Sequence, residues 1–131
     1  MPKLNPVGIA VASVAFFLVG FLWYGVLFAQ AWMAAEGVTE EDAGNPIWML
    51  PGLIITAMQV VGLAIVMKWK GVNGLADAVK TALLLWVLFA LPFAAYGYIY
   101  NPAHNATLLM IDASHLLVGW TVASAVLSRF K

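Results

Sequence analysis

The sequence predicts an all-α integral membrane protein, a four-helix bundle with antiparallel up-and-down topology and both termini in the cytoplasm. Three observations support this prediction. First, 64% of the 131 residues are hydrophobic and 9% are charged, whereas a soluble domain is about half apolar and about a quarter charged. Second, the few charges divide the chain into four apolar stretches. Third, every basic residue falls on one side of the resulting topology.

The four stretches predict one transmembrane domain over residues 1–131. The spans are predicted at about 6–29, 47–68, 75–100 and 106–128. Each is close to the roughly 20 residues that a helix needs to cross about 30 Å of hydrocarbon. Helices are expected because a helix pairs its backbone polar groups within the segment, as lipid requires.

The first span begins after Lys3 and continues through Phe28. Ala29-Gln30-Ala31 has the small-x-small form of a signal-peptidase site. The apolar run before it is much longer than the roughly 7–15 residues of a signal-peptide core. We therefore expect an anchor that is retained.

Helix-capping residues separate the spans. Gly37 is a typical C-cap, and Thr39-Glu40-Glu41-Asp42 has the spacing of a capping box. Asn45-Pro46 suits the N-cap and first residue of the second span. The stretch 70–74 predicts a polar turn, and Asn105 is expected to cap the fourth span.

The distribution of charge predicts the orientation. The basic residues precede span one, flank the loop between spans two and three, and follow span four: Lys3, Lys68, Lys70, Lys80, Arg129 and Lys131. The first external loop is acidic and contains Glu36, Glu40, Glu41 and Asp42. The positive-inside rule therefore places both termini in the cytoplasm.

A polar seam is predicted in the outer half of the bundle. Asp112 lies about two turns into the fourth span, where an isolated charge is costly, and His115 follows on the same helical face. The residues expected to converge with these two on a ligand-binding pocket open to the outside are Trp23, Tyr24, Thr56, Gln59 and Tyr96.

Two other interpretations of the seam stay open. Asp112 could pair with His115, Tyr24 or Tyr96 and simply hold helices together. Asp112, His115 and the loop residue His104 have ligand types suited to a metal, but their spacing is far less diagnostic than His-Glu-x-x-His. We expect no metal and no cofactor.

Aromatic residues recur at helical spacing along the third span, at Phe89, Phe93, Tyr96 and Tyr100. We expect this aromatic row to pack in the core. Pro92 is expected to kink the helix and to free the carbonyl of Leu88.

The composition also limits the function. With no cysteine, the chain has no disulfide, thiolate ligand or cysteine nucleophile. Its six basic residues form no patch for nucleic acid. We favour a non-enzymatic module that binds or transports a small amphipathic molecule or lipid, as a homo-oligomer. The alternatives are an accessory subunit of a larger membrane complex and a lipid-acting enzyme using Asp112 and His115 as an acid–base pair.

One stretch of sequence resembles a known family. Gly20-Phe21-Leu22-Trp23-Tyr24-Gly25-Val26-Leu27-Phe28, followed by Trp32 and by Gly37-Val38-Thr39-Glu40-Glu41, is similar to the opening of the family catalogued as domain of unknown function number seventeen sixty-one. Asp112 and His115 fit the same resemblance in span four. The resemblance implies a four-helix, multi-pass protein of the bacterial inner membrane and brings no established activity.

Overall fold

The computed structural model describes residues 3–130, so Lys131 lies outside the described residues. Its helices are α1 Pro6–Leu22, α2 Ala29–Glu36, α3 Glu40–Ala43, α4 Met49–Lys70, α5 Gly74–Leu85, α6 Leu91–Tyr100 and α7 Ala106–Leu127. Two π-helical turns, Trp23–Leu27 after α1 and Trp86–Ala90 between α5 and α6, and a 3₁₀ turn, Pro46–Trp48, complete the helical elements of this part of the chain.

Four helical units are long and apolar enough to cross a membrane. They are span 1 Pro6–Leu27, span 2 Glu40–Lys70, span 3 Gly74–Tyr100 and span 4 Ala106–Leu127. Span 2 includes the short helix α3 and the 3₁₀ turn before α4. The predicted all-α fold with four membrane helices is confirmed, and the chain is a multi-pass membrane protein.

The spans alternate in direction. The start of α1 meets the end of span 4, where Gly8 faces Phe130, and Tyr24 near the end of span 1 meets Asp112 near the start of span 4. One end of the bundle thus carries the first and last described residues together with Lys68 and Lys70, and is called the basic end. The other carries α2, α3 and the acidic loop, and is called the acidic end.

Side-chain caps set several helix boundaries. Asn5 caps α1 by accepting from the N–H groups of Val7 and Gly8, a cap that the sequence analysis did not identify. The predicted caps at Thr39 and Asn105 are present, since their side chains accept from Asp42 N–H and Leu108 N–H. Gly37 and Gly71 end α2 and α4 with the left-handed conformation that glycine adopts without steric cost.

Small residues bring α1 and α7 into close contact. A Cβ atom at Gly119 would fall on the ring of Phe16, so only glycine fits there. Phe16 is 1% exposed, and Ala12 and Ala123 are fully buried in the same core cluster. Because lipid gives helices no hydrophobic reason to associate, close packing of this kind is a main source of their affinity.

Span 4 packs against all three other spans, whereas spans 2 and 3 pack little against each other. A mainly apolar cleft of about 330 Å³ lies between them and is called the lateral cleft. Trp120 of α7 lines this cleft and donates its indole N–H to Oε1 of Gln59, on α4, at 2.8 Å. At the basic end a turn links these two spans, where Lys70 forms a 2.9 Å ion pair with Asp77.

The expected disturbance at Pro92 takes the form of a π-helical turn. Proline has no N–H and its ring clashes with the carbonyl four residues earlier, and the wider turn over Trp86–Ala90 comes immediately before it. Leu91 N–H bonds to the carbonyl of Trp86, five residues back. A second π-helical turn, at Trp23–Leu27, has no proline and was not predicted.

The aromatic row of span 3 does not pack in the core, so this expectation was wrong. Phe89, Phe93, Tyr96 and Tyr100 are 54%, 70%, 58% and 77% exposed. Three of the rings form a row along the helix, with Phe93 and Tyr96 at 6.2 Å and Tyr96 and Tyr100 stacked at 6.0 Å. In a membrane protein, lipid can cover apolar rings on the outer surface of the bundle, so these rings need not be buried within the chain.

Candidate functional site

A groove with a volume of about 690 Å³ lies between spans 1, 2 and 4. It reaches from the middle of the bundle to the loop residues 43–46 at the acidic end. Phe21, Met49 and Ile55 border it and are also exposed on the outer surface. The groove therefore opens sideways towards the membrane as well as towards the acidic end.

Aromatic rings form most of one wall. They are Phe16, Phe17, Phe21, Tyr24 and Trp32. Tyr24 meets Trp32 edge-to-face with the ring centroids 5.5 Å apart. Large flat side chains of this kind bury apolar groups well, and their faces attract cations.

Asp112 is the acidic residue of the groove. Its Oδ1 accepts a hydrogen bond from the hydroxyl of Tyr24, while Oδ2 receives none from any described residue. Two residues further along α7, the hydroxyl of Ser114 accepts from the indole N–H of Trp23 at 3.0 Å. Two neighbouring residues of span 1 thus bind two residues of span 4, and the carboxylate keeps one oxygen free.

His115 also lines the groove. Its ring meets Tyr24 edge-to-face at 5.0 Å and Phe16 at 5.5 Å. Its Nε2 is buried and has no hydrogen-bond partner among the described residues. A Cβ atom at Gly20 would lie 3.2 Å from Nε2, so the glycine leaves room for the imidazole against α1.

The groove is otherwise sparingly polar. Thr56 borders it and donates its hydroxyl to the carbonyl of Gly52 at 2.8 Å, within its own helix. Asn45 stands at its mouth. None of the described residues that line it is Lys or Arg. Asp112 is therefore the acidic group of the groove, in surroundings whose described residues offer its ionised form no basic side chain as a partner.

The structure brings four of the seven predicted site residues together around this groove: Tyr24, Thr56, Asp112 and His115. Trp23 lies next to it and holds span 4 through Ser114. Gln59 instead borders the lateral cleft. Tyr96 belongs to the exposed aromatic row and does not line the groove.

Several residues of the site were not identified from the sequence. Trp32 and Phe17 line the groove, and their aromatic character alone does not distinguish them from lipid-facing rings. Trp86 opens the second π-helical turn and donates its indole N–H to the carbonyl of Ala113 at 2.8 Å. Both π-helical turns therefore begin with a tryptophan that is bonded to α7 next to Asp112, a pairing that only the folded chain reveals.

The described residues include no group of three metal-ligating side chains. His104, the third member of the metal set considered above, lies in the loop after α6, where its Nδ1 is 2.7 Å from the carbonyl of Tyr98. Ser114, the serine nearest the groove, accepts from Trp23 and donates to the carbonyl of Ile111. Its hydroxyl is thus used both as an acceptor and as a donor, and this arrangement disfavours a role as a nucleophile.

Comparison with known families identifies one match. Residues 7–128 match the family described as protein of unknown function, DUF1761. No curated protein and no solved structure matches the chain significantly.

Proposed function

Because the chain belongs to the DUF1761 family, a description that names no activity, we propose a function from its site: the groove binds a small amphipathic molecule with a positively charged head. The proposal rests above all on one observation. A cavity of about 690 Å³ combines five aromatic rings with a carboxylate, one oxygen of which accepts no hydrogen bond from the part of the chain that the structure describes. Ligand sites are typically of about 300–1,000 Å³, mostly apolar, with a few polar groups that fix orientation.

The chemistry of the walls supports this ligand class. An apolar body would replace lipid or water against the rings of Phe17, Phe21 and Trp32. A cationic head would pair with Asp112 and lie near aromatic faces, both of which favour positive charge. An anionic head would face the same carboxylate without a basic partner.

The test uses two probes of matched shape and opposite charge, tetraphenylphosphonium and tetraphenylborate, with the protein in lipid nanodiscs and empty nanodiscs subtracted. We expect the cation to bind about tenfold or more tightly than the anion, a difference of about 1.4 kcal/mol or more. Asp112→Asn should remove this preference. Equal binding of both probes, unchanged in the variant, would contradict the proposal.

A matched pair of glycine variants separates the groove from the rest of α4. Gly52 lines the groove, and a Cβ there would make only an ordinary 3.8 Å contact with Phe17. Gly62 lines the lateral cleft and faces open space. Gly52→Phe should weaken binding of tetraphenylphosphonium about tenfold or more, whereas Gly62→Phe should leave it unchanged.

We propose further that the protein lies in the bacterial inner membrane with its basic end in the cytoplasm. The support is the positive-inside rule, since the loop between spans 2 and 3 carries Lys68 and Lys70 while the other end carries the acidic loop. The natural chain has no cysteine, so single-cysteine variants are clean reporters. An impermeant thiol reagent added to intact cells should label Glu41→Cys and not Lys70→Cys; the reverse result would invert the orientation.

Transport through the groove would need a second copy, because one chain leaves the groove open at its side. We therefore propose that the working form is a homo-oligomer. Native mass spectrometry from mild detergent measures the number of copies directly. A stable complex of two or more copies is the expected result, and a monomer that still binds tetraphenylphosphonium would restrict the function to binding.

A further inference from the structure

A second cavity, of about 300 Å³, lies at the acidic end and is called the polar cavity. It is bordered by α2, α6 and α7, a different set of helices from those that form the groove. Glu36, Asn101 and Asn105 supply polar groups to its lining. A water molecule takes up about 30 Å³ in the liquid, so this cavity has room for several.

Asp112 lines both cavities. Among residues 3–130, no other borders both. The Tyr24 hydroxyl bonds to one carboxylate oxygen from the side of span 1. The carboxylate therefore stands between a largely apolar groove and a polar cavity, and the two spaces meet at a group that can carry a proton.

The groups that face Asp112 make this junction attractive to protons and unattractive to anions. Tyr24 approaches from span 1 and His115 from α7 itself, while Glu36 and Tyr98 line the polar cavity from α2 and α6. Neither cavity is lined by a described Lys or Arg. Positive charge near Asp112 must therefore come from a proton or from a ligand.

The polar cavity is held open by fixed elements. Asn105 caps α7 through its Oδ1 and donates its Nδ2 to the carbonyl of Ala35 at 3.4 Å, which ties the end of α2 to the start of span 4. Asn101 accepts from Ala103 N–H in the loop after α6. The bond to Ala35 joins two of the helices that border the cavity, and the bond at Asn101 orders the loop that leads from the third.

We infer that the polar cavity is a water route by which Asp112 exchanges protons with the acidic end while a cation occupies the groove. This inference rests on the proposed function. When the cation binds, the O–H bond of the Asp112 carboxyl breaks, the electron pair stays on the oxygen, and the proton passes to water in the polar cavity. One positive charge replaces another, so the buried carboxylate is never left without a counter-charge, a state that is costly in a membrane.

If the polar cavity and the groove are separate routes to Asp112, the accessibility of a thiol at this position should show it. Asp112→Cys places a thiol at the junction of the two cavities in a chain without other cysteines, and Ala113→Cys, at a position 6% exposed, is the buried control. We expect a charged methanethiosulfonate to reach residue 112 through the polar cavity and an apolar maleimide to reach it through the groove. The control should react with neither.

Blocking each cavity in turn shows which reagent reaches residue 112 through which cavity. Gly97 lines the polar cavity and a Cβ there meets nothing within 4 Å, so the first atom of a Phe side chain has room and its ring is expected to fill the cavity. Gly97→Phe should slow the charged reagent about tenfold or more and leave the apolar reagent unaffected, while Gly52→Phe should do the opposite. Equal slowing of both reagents by either block would show one shared route and would overturn the inference.

Proton release distinguishes failure of the inference from failure of the proposed function. Tetraphenylphosphonium has no ionisable group, so its addition to the protein in weakly buffered solution should release about one proton per cation bound when Asp112 begins protonated. Asp112→Asn should release none, and Gly97→Phe should slow the release. Binding without release would overturn the proton route but leave the binding function. Absence of binding would overturn the function, and the accessibility rates would still decide between one route and two.

Discussion

Spans 1 and 4 associate in two different ways along their length. Near the middle and towards the basic end, the ring of Phe16 lies so close to Gly119 that a Cβ atom there would overlap it. Towards the acidic end, Trp23 and Tyr24 reach across to Ser114 and Asp112 through long side chains. The first contact depends on small residues and close packing, whereas the second depends on hydrogen bonds between long side chains beside a cavity.

The difference indicates a division of roles. Close packing supplies affinity between helices that lipid does not press together. Hydrogen bonds between side chains in a membrane contribute about 0.6 kcal/mol on average. We therefore expect the packed half to carry most of the stability of this helix pair, and the bonded half to carry the groove.

The largest effect on stability is expected at the packed contact. Gly119→Ala places a methyl group on the ring of Phe16, and overpacking of this kind costs about 1–3 kcal/mol. Gly62→Ala is the matched control, because a Cβ there faces open space; it should be neutral or stabilising by up to about 1 kcal/mol. Reversible unfolding in mixed detergent–SDS micelles measures both. Equal stability of the two variants would show that the packed contact does not carry the stability of this helix pair.

An intermediate effect is expected at the bond to Asp112. Tyr24→Phe removes the hydroxyl that donates to Oδ1, and membrane hydrogen bonds contribute at most about 1.7 kcal/mol. Tyr98→Phe removes a hydroxyl of the polar cavity's lining that donates no hydrogen bond in the described structure, and should change the free energy of unfolding by less. The same assay applies. A Tyr24→Phe variant less stable than Gly119→Ala would assign the stability of the pair to its bonded half.

The smallest effect is expected at Ser114. Ser114→Ala leaves the indole N–H of Trp23 without its acceptor, at a cost of about 0.6 kcal/mol. Thr121→Val is the control, since Thr121 donates only to the carbonyl of Leu117 in its own helix. A difference between these two variants would measure the bond between helices. If both lose the same stability, the bond at Ser114 contributes nothing specific.

The fold could be predicted from the sequence because the controlling signals are local. Four apolar stretches, the caps at Thr39 and Asn105 and the αL glycine at position 37 depend on neighbouring residues. Asp112 and His115 could also be identified, since a charge in an apolar stretch is costly wherever its partner lies.

The lipid-facing position of the aromatic row and the place of Gln59 could not be predicted, because they depend on tertiary structure. An aromatic ring suits a protein core and a lipid-facing surface equally well, so the periodicity of Phe93 and Tyr96 did not reveal which they face. The π-helical turn before Pro92 also changes the relation between α5 and α6, and a helical projection drawn straight through Trp86–Ala90 assigns residues beyond it to the wrong face. Gln59 was grouped with the groove because it shares a side of α4 with Thr56, but its partner Trp120 lies across the lateral cleft.

The π-helical turn at Trp23–Leu27 has a consequence for sequence comparison. Its wider hydrogen-bonded ring encloses one residue more than an α-helical turn does, and one residue corresponds to about 100° of rotation in an α-helix. A homologue with a single-residue gap within this turn would form an uninterrupted α-helix. Because the π-helical turn has already absorbed the extra residue, the residues on both sides of such a gap would keep their faces, and Tyr24 or its counterpart beyond the gap could still meet span 4. A single-residue gap within α1 itself would instead turn everything beyond it by about 100°. Only a gap of that second kind would mark relatives in which the groove is built differently.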